Sequence, residues 1–221
     1  MISFNVDEII RNLPDLWVGL QYTLILVFVS LAVGTVIGLA ACLGRLLGQG
    51  LLFALCTGYT TIFRGIPETV LMFWLYYCAP LLGGVRPSSM AAALIAMSLY
   101  LGAMLSEVFR GGILAVPKGQ TEAARSLGIP EVWVWINVIL PQAFRIVIPP
   151  LIGVAALAVK VSGIASTIGV AELVYQANII AGQSYRYFEL FTAVALFYFM
   201  ILFPMSMIAK RYERKFAMRT R

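Results

Sequence analysis

Five apolar stretches, near residues 21–43, 66–82, 89–109, 144–168 and 188–208, restrict what this 221-residue chain can fold into more than any other feature. Each is close to the roughly 20 residues a helix needs to cross the hydrocarbon of a bilayer. Lipid offers no partner to backbone N–H and C=O groups, so a crossing segment must satisfy them internally and is helical. With 61% hydrophobic residues, 12% charged residues and no histidine, the chain is far too apolar for a soluble domain. The reading is therefore an all-α membrane protein, with residues 1–221 forming a single transmembrane domain of five helices.

The apolar run over 51–82 is too long for one crossing and is interrupted at Arg64-Gly65-Ile66-Pro67-Glu68. Residues 51–63 read as an interfacial helix and 66–82 as the span, with Pro67 and Glu68 in its first turn. Orientation follows from the basic residues. With the amino terminus outside, twelve of the sixteen Lys and Arg residues, Arg219 and Arg221 among them, fall in inner loops and the carboxyl-terminal tail. Arg11, Arg86 and Arg186 fall outside, and Lys160 lies within the fourth span. The chain thus reads as amino terminus outside and carboxyl terminus inside. Its net charge of +6 is topological; basic residues spread over helix ends give a nucleic-acid partner no support.

Two features are decoys. Leu39-Ala40-Ala41-Cys42 looks like a lipoprotein cleavage box, but the segment ahead of it is acidic and too long for a signal peptide. Cys42, Cys56 and Cys78 are isolated and lack ligand spacing, so they read as apolar filler and no metal site is expected. Gly34-Thr35-Val36-Ile37-Gly38 has the small-residue spacing that lets membrane helices approach closely.

The chemistry-bearing segment is the polar run Thr121 to Gly128, set between two apolar stretches. Pro117 can start a helix and Gly128 can end one in the left-handed conformation. Pro130 can start a second helix, which Pro141 would stop. The small side chains of Ala123 and Ala124 allow close approach by another protein; an amphipathic connector resting on headgroups is the competing reading. No G-x-x-x-x-G-K-[ST] phosphate loop is present, so ATP is not bound by that route. The nearest thing to a catalytic pair is Ser162 with Lys160, but a two-residue spacing puts them on different sides of a helix. The chain reads as non-enzymatic, without a cofactor.

The pattern E-A-A, three residues, G, nine residues, an aliphatic, one residue, L-P resembles the coupling loop of permease subunits of bacterial ABC importers. Val138 stands where that family usually has Ile. Phe63-Arg64-Gly65-Ile66-Pro67, Glu107-Val108-Phe109-Arg110-Gly111-Gly112-Ile113, Val116-Pro117-Lys118-Gly119-Gln120, Leu140-Pro141-Gln142-Ala143-Phe144-Arg145 and Ile168-Gly169-Val170-Ala171-Glu172-Leu173 extend the similarity to the polar amino acid group over residues 55–215. The resemblance implies the type I importer permease fold in the bacterial cytoplasmic membrane. It also implies a second permease subunit in a heterodimer, two cytoplasmic ATP-binding subunits and an extracytoplasmic substrate-binding protein. It assigns coupling to Glu122, Ala123, Ala124 and Gly128 of a helix over 117–128.

Departures from the family bear on the substrate. Where relatives often carry Lys-Asp-Thr-Ser-Leu, this chain has Lys160-Val161-Ser162-Gly163-Ile164, and where they carry Asn-Tyr-Gly-Ala-Tyr it has Tyr100-Leu101-Gly102-Ala103-Met104. Relatives commonly have an aliphatic residue where this chain has Glu68; an acid there resembles subunits of the histidine, arginine and related basic amino acid systems, some of which also handle opines. Lys160, Glu68, Tyr100 and Ser162 are thus candidate substrate residues. An unpaired lysine in mid-membrane is costly and should face a cavity or partner; Gly163 and Pro149-Pro150 can loosen its helix and free backbone groups. Lys160 is read either as the partner of a substrate carboxylate or as a lysine satisfied by carbonyls or the second subunit. Glu68 is read either as a selector of basic ligands or as a carboxylate favouring its helix dipole. A secondary transporter would need ionisable residues in several spans, and a membrane scaffold would not need the glycine-hinged polar loop.

Overall fold

In a computed structural model, residues 5–84 and 86–217 are described, and they are nearly all helical with no strand among them. The Asn5 carboxamide caps α1 (Val6–Arg11) by accepting from the Asp7 N–H at 2.9 Å. The first long helix, α2 (Leu13–Leu46), exceeds the expected 21–43, because its amino-terminal turns, Leu13 to Leu20, continue the same helical ladder. Next come α3 (Gly50–Gly65) and α4 (Glu68–Gly83), which meet at 103°. Pro67 causes the bend: the residue before a proline is pushed to extended backbone, and Ile66 sits at φ −86, ψ 129. The long central helix is α5 (Ser89–Leu114), followed by the short α6 (Lys118–Ser126).

α7 (Glu131–Ile168) is the longest element, with a π turn at Trp135–Ile139 and a 3-10 end from Gly163. The Pro141 stop expected from the sequence does not occur. The π turn just ahead of it shifts the hydrogen-bond ladder, so the missing N–H of Pro141 is absorbed and the helix continues. Pro149 and Pro150 likewise sit inside the helix without breaking it, and the change of geometry comes at Gly163. Two further helices complete the chain: α8 (Leu173–Ser184), unforeseen from the sequence, and α9 (Tyr187–Ala217). Four helices are long and apolar enough to cross a membrane, or five if the bent α3–α4 pair is counted as one span. Arg219 and Arg221 lie outside the described residues.

α5 is the axis of the bundle. It packs along α2, α7 and α3, and its Met97, Leu101 and Leu105 are buried with Leu26 of α2 and Met72 of α4. Closeness to α2 depends on glycine: a Cβ on Gly38 would stand 2.8 Å from the Gly102 carbonyl oxygen and 2.9 Å from Leu105 Cβ. The pair expected from Gly34 and Gly38 thus sits at the α2–α5 seam, where backbone meets backbone. A second apolar cluster joins Leu16 of α2 to α8 and α9 at one end, and a third seats α6 at the other.

Glu172 closes the first of these ends. It is fully buried, accepts from the Tyr175 N–H at 2.8 Å to cap α8, and faces Thr23 of α2 at 3.3 Å. Burial pushes its carboxyl up to about 7, against the pull of those donors. The folded state therefore favours the protonated acid, and its stabilisation is full below the ordinary carboxyl range and lost as pH rises through 7. The solubilised protein should melt at lower temperature at pH 8.5 than at pH 5.5, a loss of roughly 2 kcal/mol between these pH values. Glu172→Gln should flatten that dependence; an equal pH slope in the variant would contradict this reading.

Candidate functional site

Lys160 lies on α7, three residues ahead of the junction where α-helix gives way to 3-10 at Gly163. It borders a cavity of about 560 Å³ shared with Thr69 of α4, Gly163, Ile164 and Thr167 of α7, Val174 of α8, and Tyr198 and Leu202 of α9. The cavity opens on the side of the single chain, and its lining carries one charge, the Lys160 ammonium. Lys160 is exposed there and forms no ion pair among the described residues. A lysine at the centre of a membrane helix costs about 3 kcal/mol. The opening therefore demands water, a ligand anion or a second chain.

The other sequence candidates divide. Glu68 is the first residue of α4 and adjoins Thr69 of the cavity wall; it is partly buried and makes no ion pair among the described residues. The elbow at Pro67 thus brings the start of α4 to the cavity that holds Lys160. Tyr100 and Ser162 are not in that wall. Tyr100 packs in the central core, and the Ser162 hydroxyl is fully buried and donates to the Val159 carbonyl at 2.7 Å. The i, i−3 bond is the cause: a serine in a helix end readily turns its hydroxyl onto the preceding turn. Thr69, Thr167 and Tyr198 were not singled out by sequence, because lone hydroxyls in apolar runs carry no spacing signal.

At the opposite end, α6 stops in a Schellman turn. The N–H of Ile129 reaches the Ala124 carbonyl at 3.3 Å, and that of Gly128 reaches Arg125 at 2.9 Å, with Gly128 at φ 71. Arg125 forks onto Glu131 across the elbow at 2.9 and 2.7 Å. Both partners are exposed, so the bond orients the turn more than it stabilises it. The two alanines face opposite ways: Ala124 is buried with Val116, Val134, Ile139 and Ala143, while Ala123 is exposed. Exposed beside it are Glu122, which has no ion pair among the described residues, and Leu127, an apolar side chain 80% accessible at the polar end of the molecule.

A third cluster was missed by sequence reading although three of its residues, Arg64, Glu107 and Arg110, lie in recognised motifs. Glu107 of α5 gathers Arg110 from its own helix, Arg45 from α2 and Arg64 from α3. Nothing in spacing alone brings residues 45, 64 and 107 together; the glycine seam and the elbow do.

Residues 34–218 match the family described as binding-protein-dependent transport system inner membrane component. The probable amino-acid ABC transporter permease protein YckA of Bacillus subtilis is 38% identical over 214 residues, covering 97% of this chain and 94% of that protein. The arginine transport system permease protein ArtQ of the same organism is 32% identical, with 97% and 98% covered. A crystal structure of an amino acid ABC transporter with histidines superposes at a TM-score of 0.90, with 31% identity over 97% of this chain and 100% of that one. An inward-facing structure of the MetNI methionine ABC transporter shares the fold at a TM-score of 0.71 and 21% identity. A multi-pass bundle with a polar, glycine-hinged helix at one end and these relatives is a transport permease of the inner membrane. The chain belongs to the binding-protein-dependent transport system inner membrane components, among the permeases of ABC transporters, and has the type I importer permease fold.

The Gly128 turn carries a direct expectation. A β-carbon in the left-handed region costs roughly 1–2 kcal/mol, so Gly128→Leu should distort the α6 elbow while the protein remains in the membrane. In reconstituted transporters that variant should hydrolyse ATP with little transport; transport at the unmutated rate would contradict a coupling role for the turn.

Proposed function

We propose that this permease is the transmembrane part of an ATP-driven importer for polar amino acids, with basic ones or related compounds as its ligands. The observation that carries the reading is Lys160, a lone cation bordering a cavity between α4, α7, α8 and α9. A free amino acid always carries a carboxylate, and an ammonium in a low-dielectric wall is its natural partner. Glu68, beside Thr69, supplies the opposite charge at the same end of α4 and would select a distal cation. Tyr100, packed in the core of α5, and Ser162, bonded within α7, stand behind the cavity wall rather than in it. Kinship with permeases named for glutamine and arginine supports the amino acid class.

Hydrolysis takes place on two partner ATP-binding subunits, since this chain has no phosphate loop. A substrate-binding protein delivers the ligand at the α8 end. The α6 end faces the cytoplasm, as the bias of basic residues requires, so the amino terminus is outside and the carboxyl terminus inside. Glu122, Ala123, Gly128 and the exposed Leu127 form the face that meets the ATPase, and Ala124 fastens that face to the bundle. The open Lys160 cavity is closed by a second, non-identical permease subunit, which removes the lysine from lipid.

Lys160→Met should lose amino acid transport while assembly and basal ATPase activity persist, because removing a costly cation exposed in the cavity does not harm packing. Glu68→Gln should weaken transport of basic amino acids more than neutral ones. Normal transport by Lys160→Met would place the ligand on the partner permease and overturn the substrate role given to this chain.

A further inference from the structure

We infer that Arg45, Arg64 and Arg110 form a site for a phosphate-type anion, and that its occupant in the membrane is the headgroup of an anionic phospholipid. The three guanidinium groups come from three helices and converge on one carboxylate. Glu107 Oε1 accepts from Arg45 and lies 3.4 Å from Arg64 Nη1, while Oε2 accepts from Arg110 Nε and Nη2 at 3.1 and 2.8 Å. Three positive charges against one negative leave the cluster at +2 (3 − 1). Among the described residues, no other acid reaches ion-pair distance of these arginines.

The hydrogen-bond count is equally unbalanced. Each guanidinium carries five N–H donors, and a carboxylate offers about four acceptor sites, so most of the donors stay unused. Arg45 Nε is buried without a partner, whereas the Arg64 side chain is 44% exposed and presents its fork at the surface. A phosphodiester, with two charged oxygens on one phosphorus, matches such a fork. Glu107 holds the arginines in place ahead of binding, and that preorganisation separates this cluster from scattered surface cations.

Location favours lipid over free phosphate. Arg45 and Arg64 lie in the last turns of α2 and α3, and Arg110 lies one turn before the end of α5, all at the α6 end of apolar helices. Headgroups occupy that level of a bilayer. One residue along the chain from Arg64, a groove of about 330 Å³ runs along the α3–α4 elbow, lined by Phe63, Ile66, Val70, Leu71 and Trp74. It suits an acyl chain and has nothing to offer an inorganic ion. Two excess charges next to an anionic surface correspond to about a thirtyfold preference over a zwitterionic lipid.

The test uses the assembled transporter in nanodiscs of phosphatidylcholine with a minor share of phosphatidylglycerol, followed by counting the lipids it retains. The unmutated complex should keep phosphatidylglycerol, and Arg64→Gln should lower its retention about fivefold. Retained phosphatidylcholine should be unchanged, and Arg64→Lys should recover part of the loss. Arg64 is chosen because Arg45 and Arg110 still hold Glu107 without it. Equal phosphatidylglycerol retention by Arg64→Gln would overturn the proposal. So would displacement of the lipid by inorganic phosphate at similar concentration, which would make free phosphate the ligand. A cross-link from position 64 to a carboxylate of a partner subunit, with lipid retention unaffected, would assign the excess charge to protein and overturn it as well.

Discussion

Backbone contact between α2 and α5 is the interaction on which the rest of the molecule depends. In lipid, apolar side chains gain nothing by leaving one apolar neighbour for another, so helices associate through close packing. Gly34, Gly38 and Gly102 supply it: the Cβ that each lacks would stand within 3.3 Å of backbone across the seam. A larger residue at 38 would force the helices apart and forfeit packing worth roughly 1–3 kcal/mol. With α2 locked to α5, the ends of both helices are fixed. One end holds Thr23 against Glu172, and the other holds Arg45 against Glu107.

α7 turns that fixed frame into a lever. At its lower end, Val134, Ile139 and Ala143 enclose Ala124, so α6 is seated on α7 by buried side chains. About 17 residues separate Ala143 from Lys160, or roughly 25 Å of helix, uninterrupted by Pro149 and Pro150. A push on α6 is thereby carried toward the cavity as a rigid displacement. The opposite wall stands on α4, which the Pro67 elbow sets at 103° to α3. Two walls on separate elements can part or close; a cavity within one helix pair could not.

Four long apolar helices, the Gly34–Gly38 contact, the Pro67 elbow and the left-handed Gly128 were legible, because apolar length, small-residue spacing and proline or glycine chemistry act locally; the expected span at 66–82 is instead half of a bent helix pair. The same local rules failed at Pro141 and Pro149-Pro150, where tertiary packing and a π turn keep α7 helical. α8 was invisible because its mixed sequence, Leu173 to Ser184, acquires a buried face only against Leu16 and Leu190. Lys160 was readable as a costly charge in an apolar run, and Glu68, next to the cavity's Thr69, as an acid at a place commonly aliphatic in the family. Tyr100 and Ser162 lie in the segments that departed from the family pattern, but neither lines the cavity: Tyr100 packs in the core and the Ser162 hydroxyl bonds within its own helix. The Glu107 cluster needed three helices folded together before its charges could be added up.

Rigid transmission along α7 is the central claim, and spin-label distances in the complete transporter test it most directly. One label pair, at positions 120 and 167, reports the length of the α6–α7 unit; a second, at 69 and 167, reports the width of the cavity. On trapping the ATPase subunits with nucleotide, the first distance should hold and the second should change. A constant cavity width together with a changing 120–167 distance would show that α7 flexes and absorbs the motion, which contradicts a lever.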